Sequence, residues 1–142
     1  MGELHPQVHC CAIEVVRFDR PLCDPAACGF AGDSRYVEVV YGGVLGPSAT
    51  AIYRRLYWAV LAARDRSVRF DLRELALAVG VKSSIAQRSV DRLVDFRFAH
   101  VDGHELAIRK RMPAVSERML GRLSPSVVAL HRAAISAMGG PS

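Results

Sequence analysis

One stretch, Asp71 to Arg111, leaves this chain few ways to fold. Asp71 followed by Glu74 has the spacing of an N-cap and N3 pair, in which a side-chain oxygen takes up a free N–H of the first helical turn. Leu72, Leu75, Ala76 and Val79 recur at helical spacing, and Gly80 supplies the stop, because glycine enters the left-handed conformation without steric cost. After Val81-Lys82-Ser83, Ser84 with Gln87 repeats the capping signature and predicts a second helix to about Arg97. Val81 is the apolar residue expected to wedge into the crossing of the two helices. Two short extended runs follow, Phe98–Val101 and Glu105–Arg109, joined by Asp102-Gly103-His104. Asp-Gly between apolar runs is a strong hairpin signal.

Helix, glycine turn, helix and hairpin in this order resemble the winged helix-turn-helix superfamily of DNA-binding domains. The resemblance rests on Leu75-Ala76…Gly80-Val81, on Ser84…Arg92-Leu93-Val94, and on Asp102-Gly103 as the wing tip. It covers about half the chain, counting a helix before it. It implies that the second helix enters the major groove and that the hairpin, the wing, touches the adjacent backbone.

Charge distribution points the same way. Residues 1–50 hold three Arg against six acids, a balance of −3, while residues 51–122 hold fifteen Lys and Arg against eight acids, a balance of +7. The surplus falls on the segment that would meet phosphates. At 142 residues with 51% hydrophobic content, the chain fits a cored globule with appendages and not a disordered tail. No apolar run approaches the ~20 residues of a membrane span. MGELHPQVHCC has no basic region leading into an apolar stretch, so no secretory signal is expected and a cytoplasmic location is.

Along the chain, Cys11–Phe18 and Tyr36–Tyr41 are β-branched, apolar runs and predict strands, separated by a Pro-, Gly- and Asp-dense connection. Pro47 or Ser48 opens a long helix to about Arg64, with Ile52, Leu56, Ala59, Val60 and Ala63 as its stripe and Tyr53, Tyr57 and Trp58 widening it. Val68–Phe70 is expected as a third strand pairing with the hairpin. Pro113 is expected to begin a short helix through Arg122. Ser124-Pro125 opens a last helix whose apolar residues are Val127, Val128, Leu130, Ala134, Ile135 and Met138. The expected fold class is therefore α+β: a winged helix-turn-helix over 36–112, an N-terminal strand and loop extension over 1–35, and C-terminal helices over 113–142.

On a helical wheel the second helix sets Ala86, Ser89, Val90, Leu93, Val94 and Phe96 against Gln87, Arg88, Asp91, Arg92 and Asp95. Arg can bond guanine O6 and N7 together, and Gln can do the same at adenine N6 and N7. The candidate DNA contacts are Lys82, Ser83, Ser84, Gln87, Arg88 and Arg92 on the helix, with His104, Arg109, Lys110 and Arg111 on the wing. The competing reading is a solvated face of i,i+3 and i,i+4 ion pairs. His9, Cys10, Cys23 and Cys28 raise a zinc site, but no CxxC pair is present and free cysteines are ordinary small core residues; no cofactor is expected. Enzyme signatures are missing, and none is expected. The expected partner is duplex DNA, bound by a homodimer formed partly through the C-terminal helices. The alternatives are a protein-assembly module on the same fold and a dimeric regulator sensing metal or redox state through its N-terminal segment.

Overall fold

The computed structural model describes residues 12–19 and 29–137. They form a mixed α+β fold. Its elements in chain order are β1 (Val15–Phe18), β2 (Phe30–Ala31), a π-helical turn (Val37–Tyr41) running into α1 (Gly42–Leu45), α2 (Pro47–Ala62), β3 (Ser67–Arg69), α3 (Leu72–Val79), α4 (Ser83–Asp95), β4 (Ala99–Asp102), β5 (Glu105–Ile108), β6 (Arg111–Met112), α5 (Glu117–Leu120) and α6 (Pro125–Ala137). No helix among the described residues is long and apolar enough to cross a membrane.

The core lies between α2, α3 and α4 on one side and the sheet on the other. Ile52, Tyr53 and Val60 of α2, Val90 and Leu93 of α4, and Val16, Leu106 and Ile108 of the sheet have no solvent exposure. Phe98 sits at the centre of the aromatic packing, edge-on to both Tyr41 and Tyr53 at 4.9 Å between ring centres. Such T-shaped pairs add to plain area burial, since a positive ring edge meets a negative face.

The main sheet has the order β3-β1-β5-β4. β4 and β5 form the expected hairpin, with Asp102 opposite Glu105 and a two-residue loop of Gly103 and His104. Of these two only Gly103 has a positive φ, at 64°. The expected pairing of residues 68–70 with the hairpin is corrected: β3 pairs antiparallel with β1, and β1 pairs in parallel with β5. The strand assigned by sequence to an extension is thus an inner strand of the sheet. Val16 is fully buried there, opposite Leu106 and Val68, which gives an apolar strand its reason to be inside.

Tyr36–Tyr41 is also corrected, from strand to helix. Tyr36, Val37, Val40 and Tyr41 are buried while Glu38 is exposed. That is a one-sided helical period; alternation would have set Glu38 on the face of Tyr36 and Val40. The Val37 N–H donates to the Ser34 hydroxyl at 3.2 Å, which starts the turn. Pro47 follows Gly46, whose φ is 88°, as the first residue of α2, so the helical backbone is broken between α1 and α2. The expected helix from Pro113 is shorter, beginning only after Ser116, whose side chain accepts from the Met119 N–H.

Candidate nucleic-acid interface

The α3–α4 corner is built as its sequence dictates. The Asp71 carboxylate accepts from the Glu74 N–H at 3.1 Å, and Gly80 takes the left-handed conformation at φ 86°, ψ 31°. Val81 is half-buried against the core, as its place between the helices requires. α4 buries Ala86, Ser89, Val90 and Leu93 against the rest of the fold. Its start differs from expectation. The helix begins at Ser83, with Lys82 in the N-cap position and no side-chain cap, so Ser84 and Gln87 do not form a capping box. Its first turn carries no acid. The Ile85 N–H turns back to the Lys82 carbonyl at 3.0 Å, while the Ser83 and Ser84 N–H groups have no side-chain cap, at the positive end of the helix dipole.

Lys82, Ser83, Ser84 and Arg88 lie together on this leading half of α4, all exposed. Gln87 is half-buried, and its amide donates to Asp91 at 3.1 Å. Arg92 has another partner: its Nε donates to the Leu45 carbonyl at 2.6 Å and its Nη2 to the Val44 carbonyl at 2.9 Å. The guanidinium also lies 4.9 Å from the centre of the Phe96 ring. Arg92 thus ties α4 to the end of α1 instead of standing free on the surface.

The hairpin is less basic than its sequence neighbourhood suggests. β5 runs from the tip to Ile108, so Arg109, Lys110 and Arg111 stand at its far end, ~13 Å or more from the tip at ~3.3 Å per residue. Arg111 donates twice to the Gly29 carbonyl, at 3.2 and 2.6 Å. The Lys110 ammonium lies 5.3 Å from the Phe18 ring centre. Arg109 is half-buried, and its carbonyl accepts from the Tyr53 hydroxyl at 2.6 Å. At the tip itself His104 Nδ1 is 3.0 Å from the Ala12 carbonyl.

The acids beside the tip are held by Arg17, a residue the sequence did not single out. Its guanidinium bonds Glu105 at 2.5 Å and Asp102 at 3.0 Å. The hydrogen bond to Glu105 raises the Arg17 pKa above the usual arginine range, against a smaller desolvation cost. Nothing in a lone Arg within a β-branched run could have announced this, because the parallel pairing of β1 with β5 brings the three together. His100 Nδ1 is 3.4 Å from Asp19 on the same side.

His9, Cys10, Cys23 and Cys28 lie outside the described residues, and no group of metal-ligating side chains occurs among those described. α6 folds back on its own chain: Val127, Val128, Leu130 and Ala134 are half-buried against the core. His131, buried, lies 2.8 Å from the Tyr36 hydroxyl, which accepts from the Val115 N–H at 3.0 Å. With the phenol donating to Nδ1, all three groups are satisfied. Met138 lies outside the described residues. No protein-family model, curated protein or solved structure matches the chain.

Proposed function

We propose that this chain is a winged helix-turn-helix protein that binds duplex DNA, presenting the leading half of α4 to the major groove. One observation carries the reading. Lys82, Ser83, Ser84 and Arg88 are exposed together on a helix start that lacks both acid and side-chain cap, while the opposite face of the same helix is buried. Cations, hydroxyls and free N–H groups in one place suit phosphate oxygens and base edges. The order α3, Gly80, α4, β4–β5 hairpin is that of the superfamily, and β1, inserted in parallel beside the hairpin, is a departure from it. Arg88 is the residue best placed to read bases. A homodimer would supply the discrimination that one helix lacks, by reading two half-sites.

A second reading, a protein-assembly module on the same fold, is favoured by the hairpin. Its tip offers Asp102 and His104, and the basic trio stands at its base. Selection of duplexes from a random pool, followed by binding of the winners at graded salt, separates the two. DNA binding predicts an enriched motif, an affinity that falls steeply with salt, and a loss of ~1–3 kcal/mol of discrimination in Arg88→Ala. An unenriched pool with no salt-dependent retention refutes it.

A further inference from the structure

Three large apolar side chains are exposed among the described residues, Trp58, Leu77 and Val101, and one of them lines a groove. An open groove of about 700 Å³ runs between α2, the Val37–Leu45 turns and the end of α3. Its apolar lining is Val39, Pro47, Trp58 and Val79, and small residues, Gly42, Ala51 and Ala78, complete it. On α2 the row that lines the groove is Pro47, Ala51, Arg54 and Trp58. Eleven rises of 1.5 Å from Pro47 to Trp58 make this about 16 Å, three helical turns. Small residues beneath a row of that length let another helix backbone come close.

Charge selects the occupant. Glu38 on the rim is already neutralised by Arg54 at 2.6 Å. Arg55, also lining the groove, is exposed and has no ion pair among the described residues. The groove therefore presents a net positive rim to whatever enters it. A second copy of this chain is disfavoured there: a two-fold contact buries the same patch of both copies, and so brings two equally positive linings together at a cost in binding.

We infer that this groove docks an acidic amphipathic helix of a partner protein, about three turns long. Apolar side chains of the partner at i, i+4 and i+7 would lie on Trp58 and the small lining residues, and its carboxylates would meet Arg55. The inference stands independently of whether α4 meets DNA.

Trp58 is the only tryptophan in the chain, so the groove carries its own reporter. A displayed library of three-turn helical peptides is selected on the intact protein, and the winners are titrated while Trp58 emission is followed. The expected winners carry an apolar i, i+4, i+7 row flanked by Asp or Glu, and they shift the emission. Ala51→Arg, at an exposed helical position that tolerates a long side chain, should weaken them about tenfold or more by obstructing the groove. Arg55→Glu should weaken acidic winners similarly, and exchanging the peptide's acids for Lys should restore binding to that variant. Recovery of no binder, of basic binders, or of binders indifferent to Ala51→Arg overturns the inference. So does self-association at micromolar concentration that Trp58→Ala abolishes, which would assign the groove to a second copy. Quenching of Trp58 by an unstructured oligonucleotide, lost in Arg55→Glu, would assign it to base stacking.

Discussion

Replacing Arg92 by Ala tests whether α4 is held in place by its own polar face. The change removes a partly buried hydrogen bond to the Leu45 carbonyl and a more exposed one to the Val44 carbonyl. A charged donor on a buried carbonyl contributes ~1.5–3 kcal/mol at best, and solvent access at both sites cuts the pair to roughly 1.5. The cation also faces the C-terminal carbonyls of a helix and stacks near Phe96; these add ~0.5 kcal/mol each in exposed settings. Because one group makes all four interactions they do not sum fully, and about 2 kcal/mol is expected. Surface substitutions without such contacts fall within ~0.5 kcal/mol, so urea denaturation resolves the difference. Arg92→Lys should recover about half, since an ammonium keeps the charge but cannot fork across two carbonyls. A stability change under ~0.5 kcal/mol, together with weaker DNA binding, would refute the reasoning and return Arg92 to the ligand surface.

Gly32→Ala should destabilise by ~2–3 kcal/mol, because an added Cβ would lie 2.1 Å from the Tyr53 hydroxyl oxygen and 2.7 Å from the Tyr57 ring. Gly80→Ala meets open space and only a positive φ, so ~1 kcal/mol is expected; equal costs in urea denaturation would show that the collision relaxes. Burial raises the pKa values of Tyr41 and Tyr53 well above the ordinary tyrosine range. The unfolded chain therefore loses these protons first, and stability should be intact below about pH 10 and fall as pH rises beyond it. Denaturation midpoints that stay flat through that range would contradict it. Tyr36→Phe leaves both the Val115 N–H and the buried His131 without a partner, for ~2 kcal/mol, and should speed proteolytic release of α6.

The α3–α4–hairpin segment was legible because its signals are local. Asp71, Gly80 and Gly103 each specify a backbone conformation that neighbouring residues cannot override cheaply, and all three sit where the spacing put them. In Tyr36–Tyr41 the β-branched composition favours a strand while the period favours a helix; exposed Glu38 among buried Val37, Val40 and Tyr41 carries the helical signal. The partner of β1 could not be read at all, since a four-residue strand says nothing of which edge it joins. Likewise the helical wheel sets Arg88 on the outer arc, and Lys82, Ser83 and Ser84 are near it by their place at the helix start, whereas the destinations of Arg92 and Arg111 depend on carbonyls of Val44, Leu45 and Gly29 that no local pattern brings near.

The parallel pairing of β1 with β5 also fixes an order of events. Val16 and Leu106 are neighbours in the sheet although about 90 residues separate them in the chain, and closing so long a loop comes late and slowly. During synthesis β1 emerges about 90 residues ahead of β5, its parallel neighbour. Until then β1, with its buried Val16, can pair only with β3, leaving its other edge open to pairing with other chains. The completed hairpin closes that edge, since β5 occupies the side of β1 that β3 leaves free.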